Sequence, residues 1–179
     1  MMTNRHEIRL CGYGGQGIIL AGYIIGQAAA VHESKNAVFI QDYGPEARGG
    51  ACRADVVVSK DPVLYPYIHT PTILVAMSQA AYDKYYPTIR DDTVVIIDQE
   101  LVTPEEGTEP LHMPARHIAE ELRRVAVANV AMLGFITSAT GIVSVEAMKN
   151  SVLSSVPKGT EELNMNAFEK GYEYAEKVK

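Results

Sequence analysis

The sequence predicts an α/β protein with three layers, α/β/α, around a mixed, mostly parallel sheet. Three observations carry this. The stretch Cys11-Gly12-Tyr13-Gly14-Gly15-Gln16-Gly17 separates a short alternating apolar run from a longer, Ala-rich one, the pattern of a strand, a sharp turn and a helix. A near-continuous apolar run over 72–77 reads as a central strand covered on both faces, and 92–98 as a further buried strand. After residue 114 the chain reads as a series of helices.

Residues 6–11 form the first strand and 18–31 the first helix. Residues 36–41, Asn-Ala-Val-Phe-Ile-Gln, form the second strand and run into Asp42. The intervening helix is long enough for a right-handed crossover, so the two strands are expected to lie parallel. As neighbours they would bring their following loops to one edge. Asp42 then stands where a Rossmann protein keeps the acid that binds a ribose hydroxyl; a loop-capping role fits it equally well.

The next segment breaks the dinucleotide pattern. Residues 51–59, Ala-Cys-Arg-Ala-Asp-Val-Val-Val-Ser, form a third strand reached after only about eight loop residues, whereas a parallel crossover needs about a dozen or more. This strand must run antiparallel to the second or leave the sheet. The fold is Rossmann-like at its start but not a classical dinucleotide fold.

Residues 65–71 are an irregular connector, with Pro62, Pro66 and Pro71 excluding regular helix. Residues 72–77 form a central strand, and Ser78 caps a helix over 79–86 that Pro87 ends. A strand over 92–98, an acidic loop over 99–110 and a short edge strand over 111–114 follow. Helices over 115–124, 129–140, 145–155 and 160–179 close the chain. The last is amphipathic through Leu163, Ala167, Tyr174 and Val178, and is expected to cover one face or an assembly surface.

The totals bound the function. At 179 residues, 47% hydrophobic and 21% charged, the chain reads as one globular domain over 1–179. A net charge of −6 with no basic block argues against nucleic acid as a partner. No apolar signal region opens the chain and no run of 18 apolar residues occurs, so the expectation is a soluble, cytoplasmic protein with no membrane partner. Cys11 and Cys52 lack C-x-x-C spacing and can build neither an iron–sulfur cluster nor a four-cysteine zinc site. Both read as buried small hydrophobes.

Gly12, Gly14 and Gly17 match G-x-G-x-x-G, a weak signal alone. A tight strand-to-helix turn would also account for it. The chemical alternative is close approach of backbone N–H groups to an anion at the helix N-terminus. A second glycine-rich loop, Tyr43-Gly44-Pro45-Glu46-Ala47-Arg48-Gly49-Gly50, would reach the same edge if the first two strands are neighbours. It adds a guanidinium suited to phosphate, pyrophosphate or carboxylate, unless Arg48 pairs internally with Glu46 or Asp42. Ser78 and Gln79 would approach the same edge. Tyrosines 65, 67, 82, 85 and 86 read as packing or interface residues, and none of the five histidines has triad-like company. With no thiamine signature, Walker lysine, metal-ligand cluster or acid–base pair, the chain holds no catalyst of its own.

The pairing of Gly-Tyr-Gly-Gly-Gln-Gly (12–17) with Tyr-Gly-Pro-Glu-Ala-Arg-Gly-Gly (43–50) resembles the gamma subunit of 2-oxoacid:ferredoxin oxidoreductases, a pyruvate:ferredoxin oxidoreductase gamma-domain family. Within it the chain looks most like the 2-oxoglutarate branch, and the resemblance extends to Asn129-Val130-Ala131-Met132-Leu133-Gly134. It implies a complex that converts a 2-oxoacid and coenzyme A to acyl-CoA and carbon dioxide, passing electrons to ferredoxin. Thiamine diphosphate and iron–sulfur clusters would reside on alpha, beta and delta-type partner subunits. This chain, with no catalysis alone, would help form the coenzyme A side of the site. The residues so implicated are Gly12, Gly14, Gly15, Gln16, Gly17, Glu46, Arg48, Gly49 and Gly50, either seating coenzyme A or shaping the interface around it. An isolated chain with an uncovered assembly surface is open to homodimerisation. Two other readings stand beside this one: an NAD- or FAD-binding oxidoreductase domain, and a purely structural assembly subunit.

Overall fold

The structure, a computed structural model, describes residues 5–43 and 51–178. The strands are β1 (Arg5–Tyr13), β2 (Asn36–Asp42), β3 (Ala51–Ser59), β4 (Ile73–Ala76), β5 (Val94–Asp98) and β6 (Leu111–Met113). They form one sheet in the order β2-β3-β1-β4-β5-β6. β1, β4, β5 and β6 run parallel, while β3 runs antiparallel to both β1 and β2. The expected antiparallel course of the third strand is therefore found.

One expectation needs correction. The first and second strands point the same way but are not neighbours, because β3 pairs on both sides and separates them. The short return from β2 sends the chain straight back along it, and β3 then offers its free edge to β1. The carboxyl ends of β1 and β2 still share one edge of the sheet, about 10 Å apart at two strand spacings.

Alternation along the strands divides the core. Ile8, Leu10, Cys52, Ala54, Val56 and Val58 belong to the cluster beneath the main helical layer. Cys11, Leu74, Ala76 and Ile97 point to the opposite face, where α2 (Gln79–Tyr85) supplies Ala81, Tyr82 and Tyr85. The layers are thus unequal. The larger one is made of α1 (Ile18–Gln27), α3 (Ala115–Glu121), α4 (Ala128–Thr140), α5 (Val145–Ser155) and α6 (Glu161–Val178). Ser78 caps α2 as expected, its Oγ accepting from the Ala81 N–H at 3.4 Å.

Several bounds shift. β1 continues through Gly12 and Tyr13, paired with Cys52 and Ala51, so the turn proper begins at Gly14. The first helix ends at Gln27 and passes into a π-helical turn, Ala28–His32. α3 stops at Glu121, short of the two arginines at 123 and 124. On α6 the buried stripe is Asn164, Ala167, Phe168, Gly171 and Ala175; Val178 is exposed, and Leu163 and Tyr174 are only half-buried. Gly134 and Gly171 let α6 lie backbone-close along α4, and Phe168 is fully buried in the same stripe.

Both cysteines are buried, and burial pushes both thiols above their ordinary value. Such thiols are inert, and the two lie on opposite faces of the sheet.

Candidate functional site

The glycine turn sits where β1 hands over to α1, at the carboxyl edge of the parallel strands. Ligands of open α/β sheets bind along this edge. Gln16 organises the turn. Its Oε1 accepts from the Tyr13 N–H at 2.9 Å, and its Nε2 donates to the Met77 carbonyl at the end of β4, at 2.6 Å. Each end of the amide thus makes one bond inside the chain, tying the turn to the neighbouring strand. Gln16 positions the loop and still lines the cleft, with one N–H and one carbonyl lone pair left over.

The glycines divide by what they face. A Cβ on Gly12 would run into Gln16 Oε1 and Ile18. Gly17 is left-handed at φ 75° and a Cβ there would strike the Asn129 side chain. Asn129, at the start of α4, donates from Nδ2 to the Gly17 carbonyl at 3.2 Å. Gly12 and Gly17 thus have internal reasons to be glycine. Around Gly14 and Gly15 a Cβ would meet nothing, so these two face outward and leave room for an approaching group.

Beside the turn lies a cleft of about 250 Å³, lined by Tyr13, Gly15, Gln16, Asp98, Arg116 and Ala126 among others. Asp98, fully buried at the end of β5, accepts from the N–H groups of Glu100 and Arg116, each at 3.1 Å. Burial pushes its carboxyl above the usual aspartate range, and the two N–H donors oppose that. Asp98 so pins the start of α3 and holds Arg116 at the cleft. The Arg116 guanidinium, half-exposed, bonds Glu120 at 2.8 Å, and this partner holds its pKa above the ordinary arginine value.

A second hollow, of about 590 Å³ and mostly apolar, runs from Gly14, Gly15 and Gly17 past Cys52 to Gln41 and Tyr43. It joins the glycine turn to the end of β2, so Tyr43, the first residue of the second loop, shares a rim with Gly14 even though β3 intervenes. Glu46, Arg48, Gly49 and Gly50 lie outside the described residues. Asp42 is 3.6 Å from Arg53 across the β2–β3 pair, and β3 separates it from the strand a Rossmann acid would adjoin.

Residues 7–174 match the family described as pyruvate ferredoxin/flavodoxin oxidoreductase. The chain belongs to this family. It is 51% identical over 179 residues to the 2-oxoglutarate synthase subunit KorC of Methanocaldococcus jannaschii, covering 97% of this chain and 96% of the other. The keto/oxoacid ferredoxin oxidoreductase gamma subunit of Geobacter sulfurreducens superposes with a TM-score of 0.86 at 39% identity, over 97% of each chain. The 2-oxoglutarate:ferredoxin oxidoreductase of Magnetococcus marinus, whose structure holds 2-oxoglutarate, coenzyme A and succinyl-CoA, shares the fold with a TM-score of 0.89 at 22% identity. It covers 99% of this chain but only 32% of that one.

The protein is thus a gamma subunit of a 2-oxoacid:ferredoxin oxidoreductase, a component of a multi-subunit enzyme. In this gamma subunit the structure brings Gly12, Gly14, Gly15, Gln16 and Gly17 together. It adds Met77, Asp98, Arg116 and Asn129, which the sequence reading did not place at the site. A carboxylate closing a parallel strand (Asp98) and an asparagine opening an apolar helix (Asn129) were the available signals. Among the described residues no group of three or more His, Cys, Asp or Glu is arranged to hold a metal, and no helix is long and apolar enough to cross a membrane.

The internal role of Gln16 has a measurable consequence. Gln16→Leu strips the acceptor from Tyr13 N–H and the donor from Met77 O. We expect a loss of about 1–2 kcal/mol in urea unfolding, with faster amide exchange at Tyr13. Unchanged exchange there would remove Gln16 from its positioning role.

Proposed function

We propose that this gamma subunit serves a 2-oxoglutarate:ferredoxin oxidoreductase, lending its glycine turn and adjoining cleft to the coenzyme A side of a site completed by its companions. The observation that carries the reading is the outward-facing Gly14–Gly15 bend opening on a cleft that Arg116 lines. Coenzyme A offers phosphates to a guanidinium and to free backbone N–H groups, and an apolar arm to Tyr13, Leu101 and Val125, which also line that cleft. Arg48 would add a second cation, with Glu46, Gly49 and Gly50 in the same loop. The oxoacid is inferred from the 51%-identical relative, and the coenzyme A assignment draws support from what the Magnetococcus enzyme binds.

Thiamine diphosphate and the iron–sulfur clusters are assigned to companion subunits of alpha, beta and delta type, with ferredoxin as the electron acceptor. The chain's own residues do not fit a cluster, since the two thiols are buried on opposite faces of the sheet. Its work is to bind, orient and close off the site. Purification of the complex from its native source, followed by assay against a panel of 2-oxoacids, tests the reading. The expected result is coenzyme A-dependent turnover highest with 2-oxoglutarate, and none from the lone chain. A preference for another 2-oxoacid contradicts the substrate, and turnover by the lone chain contradicts the division of labour.

The internal bonds of Gln16, which stiffen the turn, favour one further reading, that the turn serves subunit docking alone. In that case substitutions at the turn would abolish co-purification before they altered any kinetic constant.

A further inference from the structure

From Ile18 to Val31, through α1 and its π-helical extension, the chain carries no charged residue. Its inner side (Ile18, Ala21, Ile24, Ile25, Ala28, Ala29) is packed in the core. Its outer side is apolar too: Leu20 is 36% exposed, Tyr23 48% and Val31 66%. A helix apolar all round belongs in an interior, yet this one has a bare flank. The flank continues across the groove of about 590 Å³ to β2, where Tyr23 meets Phe39 edge-on at 6.4 Å.

Among the described residues β2 is itself an edge strand, bonded only to β3. From Asn36 to Gln41 it holds no charge and no proline, and Ala37 to Ile40 are only half-buried. Edge strands of free-standing proteins are guarded by charge, proline or bulges; in this one charge stands only at the ends, Lys35 before it and Asp42 at its last position. Helix flank, groove and strand edge form one apolar surface, and its upper end is Gly14 and Gly15.

We infer that this α1–β2 surface is the seat of a companion subunit, the one equivalent to the remainder of the longer polypeptide of which this fold forms 32% in the Magnetococcus enzyme. In that protein the unit is covalently joined to its neighbour, and the joined partner is present at high effective concentration without help. Where the unit is a chain of its own, as in the relative matched over 96% of its length, it must hold its neighbour by surface alone, and permanent interfaces are the more apolar ones. The surface also ends at the glycine turn, so a chain seated there closes over the rim given above to coenzyme A. The inference rests on the reading of this protein as a subunit and adds which face is used.

The test is co-expression of the full chain with its companion chains, the companions tagged and identified by mass spectrometry. Leu20→Lys combined with Tyr23→Glu should leave circular dichroism and melting temperature close to those of the parent. Recovery of this chain with the companion should fall at least about tenfold. Leu64→Glu, at a residue 93% exposed that does not line the groove, should assemble as the parent does. Amide exchange over residues 36–41 should slow in the parent complex relative to the free chain, an observation independent of any variant. Undiminished recovery of the double variant, or unchanged exchange in the complex, overturns the assignment. A dimer of the free chain that the double variant dissolves while companion binding persists gives the surface to a second copy and likewise overturns it. Failure of the parent chain to recover any companion defeats the subunit reading itself, and the inference with it.

Discussion

Asp55→Ala is expected to cost about 3–5 kcal/mol of folding stability, the range for stranding a buried charge. Arg9 is 2% exposed and Asp55 4%. They form a two-pronged pair, Nε to Oδ1 and Nη2 to Oδ2, each at 2.8 Å. Nη2 also donates to the Ile68 carbonyl at 2.7 Å, and the guanidinium carbon lies 5.3 Å from the centre of the Tyr85 ring. Burial alone would lower the pKa of Arg9, and the hydrogen bonds and charge of Asp55 reverse this. Arg53 stands 3.8 Å from the same carboxylate. Removing Asp55 therefore strands the buried Arg9 guanidinium, while Arg53 keeps Asp42 at 3.6 Å. The double change Arg9→Met with Asp55→Leu should recover most of the loss, because it removes the charges and keeps the volume. Urea midpoints of the three proteins check this; a single-variant loss below about 1 kcal/mol would mean that water reaches the pair.

The second large effect is expected at the crossing of α4 and α6. A Cβ on Gly171 would collide with the Ala131 carbonyl on α4, and one on Gly134 with the Phe168 carbonyl on α6. The obstacles are backbone atoms, which cannot rotate away as a side-chain tip can. Gly171→Ala must push the helices apart. The expected loss is about 3 kcal/mol, the upper part of the usual range for overpacking. In a protein of this size that corresponds to a fall of about 10 °C in melting temperature, read by calorimetry. A fall of only about 2 °C would show that α6 can slide along α4 without penalty. Because α4 also carries Asn129, which holds Gly17, a displaced α4 should loosen the glycine turn as well.

Much of the fold was legible because its signals are local. Period-two alternation marks β3, apolar runs mark β4 and β5, and Ser78 marks the start of α2. The short return from β2 correctly excluded a parallel third strand. The neighbour of β1 was not legible, because strand pairing is a contest between distant segments and nothing within residues 5–43 says that β3 will be inserted there. At the site, the glycines identified the turn but not their separate reasons. That Gln16 also ties the turn to Met77, 61 positions away, is not stated by any local signal. Arg116 and Asp98 escaped for the same cause: each reaches the cleft through the order of strands, which the sequence does not state.

Under the proposed function this subunit offers a rim to coenzyme A while its companions perform the chemistry. The most direct measurement is the Michaelis constant for coenzyme A in the assembled complex carrying Arg116→Ala, with that for the 2-oxoacid taken alongside. Loss of one charge-assisted contact predicts a rise of about tenfold for coenzyme A and no change for the oxoacid. Unchanged constants for both in a fully assembled complex would contradict the account.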